Sequence, residues 1–390
     1  MMIKNLWQEH FLILLVIVVV LIGCDNNGSQ EPDLKKLKVD VSEEKDFLLS
    51  NLVDTLIIVP LETQENALIG SVAKVETTDK YIFVLDNSIA EALFMFDWNG
   101  NLIHAFQGNG DGPREFIRAS NFFLNPNMKS VYIQDNSLGK IIELDYKGEF
   151  IQEKKIDPKF WIYDLFPIAD GFISVKSEED VSGMFVDLLN KQLDLKEILL
   201  DINDEINVFG GVKPKYFFKG LDGKIYFKQL LSNYIYSFTS EGDFEKIEFS
   251  FTSSNWIPSK NPILPRDAYM EVRNNNSTAL SDEFLEFENN WVFNYWAGGI
   301  LKSAIYSKND GVCFGIKNIE NDIDGLFKRY PGVLPINSNP NQFVLDVHPD
   351  DFVNQLSDQD FDLKYSEIFH ELNSEKNDNP ILLIYKKIVK

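Results

Sequence analysis

The stretch of this 390-residue chain that most suggests ligand chemistry is FQGNGDGPREF, residues 106–116, in which three glycines alternate with polar residues. The backbone amides of a glycine-rich loop can hold a phosphate, but this stretch lacks the G-x-G-x-x-G spacing and no helical pattern follows it. Asn109 and Asp111 offer too few oxygen ligands for a calcium loop, which also needs a Glu at a fixed distance. The stretch is therefore interpreted as a backbone corner that presents charged side chains.

Other groups with catalytic or metal-binding chemistry are few and scattered. The chain has two cysteines, Cys24 and Cys313, and four histidines far apart in sequence. They form no H-E-x-x-H motif and no zinc-ligand spacing, and no G-x-S-x-G nucleophile elbow is present. We expect no metal and no cofactor. The 60 Asp and Glu residues include many possible acid–base pairs, but sequence spacing does not select one.

Composition restricts the class of protein. Hydrophobic residues make up 44% of the chain and include 31 Phe, which is enough for a large core. Asp and Glu outnumber Lys and Arg by 60 to 37, for a net charge of −23. A chain this acidic is repelled by phosphate backbones, so nucleic acid is not an expected partner.

The N-terminus is typical of an exported protein. A basic start is followed by an apolar run, residues 11–22, whose helical length of about 18 Å is too short to cross a bilayer core of about 30 Å. The run ends in LIGC, residues 21–24, which resembles the lipobox of bacterial lipoproteins. Residues 1–23 are therefore predicted to be a lipoprotein signal peptide and Cys24 the lipid attachment site; the alternative is an ordinary secretory signal with an incidental Cys. Residues 24–50 are predicted to be the lipidated Cys and a flexible tether.

One supersecondary unit recurs along the rest of the chain. Residues 81–106 and 131–156 each contain a strand ending in DNS, a second strand ending in FDWNG or LDYKG, and a third strand, and the turn glycines Gly100 and Gly148 lie 48 residues apart. Further copies fit residues 171–200, 224–251 and 291–317. A period of about 40 to 50 residues with several short strands indicates propeller blades.

The elements of this unit are strands because the apolar runs are short and rich in aromatic and β-branched residues. The strongest helical pattern is residues 348–372, which predict a short helical insertion near the C-terminus, followed by a closing strand. The fold class is therefore all-β, a six-bladed β-propeller of four-stranded antiparallel blades formed by residues 51–390. The sixth blade is predicted to combine residues 342–347, the closing strand and the N-terminal strand around residues 55–62.

These features together resemble the six-bladed β-propeller lipoproteins related to NHL-repeat proteins. The match covers most of the mature chain and rests on IVPLETQENALIG (58–70), YIFVLD, FDWNG, GNGDGPREF and the closing NPILLIYKK. The family usually has a small residue where this chain has Arg114. The resemblance implies the architecture and an outer-membrane lipid anchor, with the domain facing the periplasm or the cell surface; it implies no reaction.

Alternation of the strands assigns the loops to two faces. With strands A to D counted outward from the axis, the B–C turns and the D–A connections, including residues 106–116, lie on one face, and the A–B and C–D turns lie on the other. The first face is predicted to carry the binding residues, because Trp, Tyr and Arg dominate interaction surfaces. The candidates are Asp111, Arg114, Glu115, Arg118, Trp161, Trp256, Arg266 and Trp296. Each of the tryptophans also fits a simple packing role between blades.

Two functions remain open from the sequence. The first is a monomeric binding or scaffold module on a membrane, which recognises a glycan, peptide or partner protein on the D–A face. The second is a polysaccharide lyase or glycoside hydrolase with its site at the mouth of the central channel. The absence of a recognisable nucleophile or metal cluster in the sequence favours the first.

Overall fold

The computed structural model describes residues 34–125, 128–157, 160–178, 181–202, 215–241, 243–253, 255–256, 265–324, 329–331, 339–357 and 378–388. The predicted signal peptide and Cys24 lie outside these residues. The described residues belong to one compact unit, Leu34–Lys390.

The strands follow one another in six groups along the chain. The N-terminal strands are β1 (Leu34–Val39), β2 (Glu44–Leu48) and β3 (Thr55–Pro60). The next two groups are β4 (Lys74–Thr77), β5 (Tyr81–Asp86), β6 (Ala92–Asp97), β7 (Leu102–Phe106), and β8 (Asn121–Asn125), β9 (Ser130–Asp135), β10 (Lys140–Asp145), β11 (Phe150–Lys155). They are followed by β12 (Phe160–Ile168), β13 (Gly171–Glu178), β14 (Val181–Leu189), β15 (Leu195–Asp201), and β16 (Phe217–Lys219), β17 (Ile225–Lys228), β18 (Tyr234–Phe238), β19 (Phe244–Phe251). The last are β20 (Thr278–Glu286), β21 (Asn290–Ala297), β22 (Ile300–Ser307), β23 (Cys313–Glu320), β24 (Arg329–Pro331), β25 (Gln342–Val347) and β26 (Ile381–Lys386).

These strands form six sheets, and within each of the first five blades four consecutive strands pair antiparallel, so the predicted six-bladed β-propeller is confirmed. The first five blades are β4–β7, β8–β11, β12–β15, β16–β19 and β20–β23, and the short β24 pairs with β23. Strand β12 contacts β8 and β16, so the first strand of each blade faces the axis. The fourth strands β7, β11 and β15 expose Ile103, Ile151 and Ile198 at the rim.

The sixth blade closes the ring as predicted. Its described strands are β25, β26 and β3, with β26 in the middle and antiparallel to both neighbours. Strand β3 leads into β4 of the first blade, as each outer strand leads into the next blade. Closure therefore pairs the two ends of the domain and removes an open edge.

Aromatic side chains fill the space between blades. Phe83 of β5 stacks on Phe122 of β8 with ring centroids 6.3 Å apart, and both side chains are fully buried. Burial of one such side chain stabilises the fold by about 1.5–3 kcal/mol. The short apolar runs of the sequence therefore provide the contact between neighbouring blades.

The repeated turn has the same structure in both copies. Gly100 and Gly148 have φ values of +85° and +83°, a conformation that glycine adopts without strain. In the first copy the Asp97 carboxylate accepts hydrogen bonds from the N–H groups of Asn99 and Asn101, at 2.8 and 2.9 Å. A Cβ at Gly100 would lie 1.8 Å from the carbonyl oxygen of Pro60, so a larger residue is excluded there.

The N-terminal segment differs from the predicted tether. Strand β1 pairs in parallel with β19 at the rim of the fourth blade, and β2 pairs in parallel with β23 at the rim of the fifth. Leu37, Val39 and Phe47 are 4%, 0% and 8% exposed, and this burial holds the segment in place. The prediction of a flexible tether is therefore wrong over residues 34–48. The lysines of LKKLKV give this segment a polar composition, but it forms a strand whose apolar side chains contact the core.

Two α-helices interrupt the strands in the part of the chain that the structure describes. Helix α1 (Pro265–Asn274) was not predicted; it lies in the connection between the fourth and fifth blades and buries Ala268 and Val272, which are one turn apart. Helix α2 (Pro349–Ser357) lies between β25 and β26 and confirms the short helix near the C-terminus. The rest of the predicted insertion, residues 358–372, lies outside the described residues. The described residues also include two 3-10 turns, Leu49–Asn51 and Leu221–Gly223.

Candidate ligand-binding site

The glycine-rich connection between the first and second blades is held to the fold by its own charged residues. Arg114 has a φ of +67°, and its backbone N–H donates to Glu153 Oε2 of β11 at 2.8 Å. Its guanidinium lies 5.0 Å from the centroid of the Phe150 ring. Glu115 Oε2 accepts the N–H of Gly112 at 3.1 Å, while Asp111 is exposed. The stretch is thus a backbone corner, as expected, and Arg114 and Glu115 help to shape it.

The other predicted ligand residues on this face lie in separate places. Arg118 forms an ion pair with Glu91, with 3.1 Å between their charged atoms. Trp161, in β12, is 51% exposed. Trp256 is 3% exposed and its indole N–H donates to Glu271 Oε2 of α1 at 3.3 Å, so it packs α1 against the propeller.

Trp296 and Arg266 also belong to the surroundings of α1. The Trp296 ring meets the Tyr269 ring edge to face, with centroids 4.8 Å apart, and Arg266 is exposed near the start of the helix. The structure therefore brings Trp256 and Trp296 together in one aromatic cluster under α1. Asp111, Arg114, Glu115 and Arg118 share a different connection, and Trp161 lies on neither.

A cavity of about 850 Å³, which we call the mouth pocket, opens on the opposite face, among the A–B and C–D turns. It contains aromatic, amide, hydroxyl and lysine side chains from the first, second, fourth and sixth blades. Its lining residues are Ile57, Thr77, Thr78, Asp79, Lys80, Tyr81, Trp98, Lys129, Tyr146, Lys219, Asn339, Gln342 and Lys386. Its volume falls in the range of ligand sites, about 300–1,000 Å³.

The aromatic wall of the mouth pocket is fixed by hydrogen bonds and ring contacts. Tyr81 and Tyr146 meet edge to face at 5.8 Å, and the Trp98 indole N–H donates to the carbonyl oxygen of Thr78 at 3.2 Å. Lys386 Nζ lies 3.9 Å from the centroid of the Trp98 ring. Burial lowers the pKa of the Lys386 amine, and the charge of Asp79 opposes this shift.

The polar wall comes from the junction between the sixth and first blades. The side-chain amides of Asn339 and Gln342 donate to Thr77 Oγ1, at 2.8 and 3.3 Å. Each amide keeps further hydrogen-bonding capacity. These groups are able to recognise hydroxyls or carbonyls of a ligand.

The charge of the mouth pocket is opposite in sign to that of the whole protein. Its lining includes Lys80, Lys129, Lys219 and Lys386 but one carboxylate, Asp79. The chain as a whole carries a net charge of −23. A local excess of positive charge in a concave site favours an anionic ligand.

A second cavity, the inner cavity, of about 310 Å³, continues along the axis and shares Thr77, Lys219 and Asn339 with the mouth pocket. The buried Lys74 amine donates to Asn121 Oδ1 and to the carbonyl oxygen of Phe122, at 3.3 and 2.8 Å, and pairs with Glu76. Asp164 accepts the backbone N–H groups of Tyr216, Phe217 and Leu165. These two side chains hold the first strands of neighbouring blades together.

His104 and Cys313 lie in packed surroundings that favour structural roles. The His104 ring packs on Phe106 at 4.5 Å, and burial lowers its pKa. Burial raises the pKa of the Cys313 thiol to about 12, which makes it a poor nucleophile. Within the described residues no three His, Cys, Asp or Glu side chains cluster as metal ligands would.

Sequence reasoning placed the C–D turns, including Trp98, on the face opposite the D–A connections but assigned them no role. For Lys386 and Gln342 the sequence predicts positions in strands of the closing blade. The alternation of strand direction, together with the aromatic and lysine residues in the A–B and C–D turns, indicates a second surface with ligand-binding residue types. The cavity between those turns cannot be predicted from the sequence, because it depends on how distant turns pack.

Fold and cavities define the class: a six-bladed β-propeller with an axial pocket. The chain belongs to the family described as "Domain of unknown function (DUF4934)", which matches residues 34–386. The chain is similar in fold to a "Putative exported protein" from Bacteroides fragilis NCTC 9343, at 16% identity and a TM-score of 0.64, over 91% of this chain and 100% of the other. It is also similar to a member of the DUF4221 family from Bacteroides vulgatus, at 9% identity and a TM-score of 0.51, over 86% and 98% of the two chains. No curated protein matches it, and the relation to NHL repeats stays a prediction.

Proposed function

We propose that this protein is an exported, membrane-anchored binding module that takes an anionic saccharide in the mouth pocket. The observation that carries the proposal is the composition of that pocket: three aromatic rings, two amides and four lysines against one carboxylate. This assigns the binding role to the A–B and C–D face. The D–A face, with its exposed Trp161, is the competing surface for a glycan, peptide or protein.

The aromatic and amide groups support a saccharide. The ring faces of Trp and Tyr offer flat apolar area against the C–H face of a sugar, and their polar atoms bond to hydroxyls. Trp98 is only partly buried, and its N–H is already satisfied by Thr78, so its ring is held in one orientation. A preorganised ring loses little conformational entropy when a ligand binds.

The lysines support a negative charge on that saccharide. Lys80, Lys129 and Lys219 are exposed at the pocket. Exposed ion pairs contribute about 0.2–1 kcal/mol each, so several together shift affinity by about tenfold and make it sensitive to salt. A uronic-acid oligosaccharide has both the ring faces and the charge.

The enzymatic alternative requires a free acid–base pair at the axis. Asp164 accepts three backbone hydrogen bonds, and Glu76 pairs with Lys74 at 3.3 Å. These contacts give both carboxylates a structural role and do not favour proton transfer. We therefore favour a binding function over an enzymatic one.

The test is calorimetric titration of the full-length protein, purified in mild detergent, with a uronic-acid oligosaccharide and its neutral counterpart. Trp98→Ala and the double variant Lys80→Gln/Lys129→Gln are expected to weaken binding of the acidic ligand at least tenfold. Trp161→Ala, on the opposite face, and Lys147→Gln, in the same turn as Tyr146 but outside the pocket lining, serve as matched controls with unchanged affinity. The double variant changes only exposed lysines, so a loss of binding in it does not arise from loss of the packing that Trp98 provides.

Loss of binding in Trp161→Ala with full binding in both pocket variants would return the site to the D–A face. Equal binding of the acidic and neutral oligosaccharides would overturn the charge argument. Absence of binding to either oligosaccharide would overturn the saccharide class.

Membrane attachment is the second part of the proposal. Cys24 is proposed to carry the lipid, and the exported neighbour from Bacteroides supports export, with the outer membrane as the proposed site. No helix in the described part of the chain has the length and apolarity to cross a bilayer.

Cys24→Ala is therefore expected to move the protein from the membrane fraction to the soluble fraction, because the anchor is lost. Detergent phase partitioning and fractionation in high salt measure this, and Cys313→Ala is the control that leaves partitioning unchanged. A Cys24→Ala protein that stays with membranes in high salt would exclude the lipid anchor.

A further inference from the structure

We propose that Lys215 is a reactive amine that forms an imine with a small aldehyde or ketone in the inner cavity. This inference goes beyond saccharide binding and does not depend on it. Three lysines line this cavity: Lys74, Lys215 and Lys219. They differ in burial and in hydrogen bonding, and these differences identify Lys215 as the candidate reactive amine.

The Lys215 amine is buried, and among the described residues its Nζ atom makes no hydrogen bond. Its Nζ atom lies 4.7 Å from the centroid of the Phe218 ring, and this ring contact uses none of the hydrogen-bonding capacity of the nitrogen. By contrast, Lys74 in the same cavity is held by Asn121, Phe122 and Glu76. Among the described lysines of this cavity, Lys215 is thus the one whose buried amine makes no structural hydrogen bond.

The charged groups around Lys215 come from several blades. Glu76 and Lys74 lie on β4, Asp164 on β12 and Glu283 on β20. Burial lowers the pKa of Lys215 to about 8, while the three carboxylates oppose the shift and Lys74 adds to it. At pH 7.5 about a quarter of such amines are neutral, against about one in a thousand for a lysine of ordinary pKa.

The cavity has room for the reaction. Its volume of about 310 Å³ accepts a small carbonyl compound, and Lys215 lies four residues before Lys219, which also lines the mouth pocket. The flexible four-carbon stem lets the amine turn into the cavity. The neutral nitrogen adds to the carbonyl carbon to give a carbinolamine, which loses water to form the C=N bond; nothing is oxidised or reduced.

The test is reductive labelling of the folded, full-length protein with propanal and cyanoborohydride, followed by peptide mass spectrometry. Lys215 is expected to be labelled at least tenfold faster at pH 7.5 than Lys74, which shares the cavity, and than Lys228, which is buried but donates to the carbonyl oxygens of Gln229 and Ser232. Its labelling rate is expected to level off above pH 8. An aldehyde-bearing dextran, too large for the cavity, is expected to label surface lysines and spare Lys215.

Lys215→Met keeps the stem and is expected to remove the fast phase of propanal labelling without moving the melting temperature by more than a few degrees. Labelling of Lys215 at the rate of Lys74 or slower would overturn the proposal. So would a fast phase that persists in Lys215→Met. Site-resolved detection in the wild-type chain keeps the test valid even if this variant fails to fold.

Discussion

A chain that ends at Pro380 is expected to lose its cooperative folding transition altogether. The deletion removes β26, the middle strand of the sixth blade, in which Ile381, Leu382, Leu383, Ile384 and Tyr385 are each 0% exposed. At about 1.5–3 kcal/mol for each buried side chain, their loss amounts to about 10 kcal/mol, which is comparable to the whole stability of a domain. It also unpairs β25 and β3 on either side.

Thermal melting followed by circular dichroism measures this outcome. A chain that ends at Lys387 is the matched control: it keeps β26 and the ion pair of Lys387 with Asp54 at 2.8 Å, and it should melt within a few degrees of the full chain. If the Pro380 truncation retained a sharp transition near the parent temperature, the sixth blade would be a separable unit and not the closure of the ring.

Asp86→Ala is expected to lower the free energy of unfolding by at least about 3 kcal/mol, because it leaves four backbone N–H groups without their carboxylate acceptor. Asp86 is fully buried, and its two oxygens accept the N–H groups of Gly70, Ser71, Ser88 and Ile89 at 2.8–3.1 Å. Two of these donors lie in the connection that enters the first blade and two in the DNS turn itself. The carboxylate therefore joins the sixth-to-first connection to the B–C turn.

The same arrangement recurs one blade later. Asp135 is fully buried and accepts the N–H groups of Ile117, Arg118, Ser137 and Leu138 at 2.7–3.3 Å. Asp135→Ala should therefore destabilise the protein by a similar amount. Asp97→Ala is the control, because this more exposed carboxylate lies in a C–D turn and its loss should cost only about 1 kcal/mol.

The pH dependence of the Asp86 contribution has a definite sign. Burial alone would raise the pKa of Asp86, but the hydrogen bonds from backbone N–H groups lower it below its ordinary value. The stabilisation is therefore complete above the ordinary Asp pKa of about 4 and is lost as the pH falls through the lower folded value. Urea unfolding at pH 7 and pH 3 should show the difference between wild type and Asp86→Ala shrinking at the acidic pH; a constant difference would show that the carboxylate charge plays no part.

Local sequence patterns determined the blades. Gly100 and Gly148, with their preceding Asp97 and Asp145, produce the same turn 48 residues apart because the conformation depends on neighbouring residues alone. The short apolar run YIFVLD likewise placed strand β5 at its observed bounds, residues 81–86. The pairing of the closing strand was predictable too, because a ring of blades leaves one strand arrangement that removes the open edge.

The tertiary structure alone decided which segments of irregular composition would be ordered. Strands β1 and β2, within residues 34–48, pair in parallel with β19 and β23, which lie more than 200 residues later in the chain. No local sequence pattern identifies these partner strands. Helix α1 forms because Ala268 and Val272 find a buried surface beside Trp256, a contact that depends on the completed blades. Their stability comes from burial against distant residues, which a local pattern does not encode.

The candidate site shows the same division most clearly. The sequence by itself determined that loops alternate between two faces and that aromatic and charged residues occupy them. Only the folded ring brings Ile57, Trp98, Tyr146, Asn339 and Lys386 around one cavity, and only packing along the axis leaves the Lys215 amine buried without a hydrogen bond among the described residues. A cavity is a property of the space between side chains from distant segments, and its volume depends on how completely those side chains fill it.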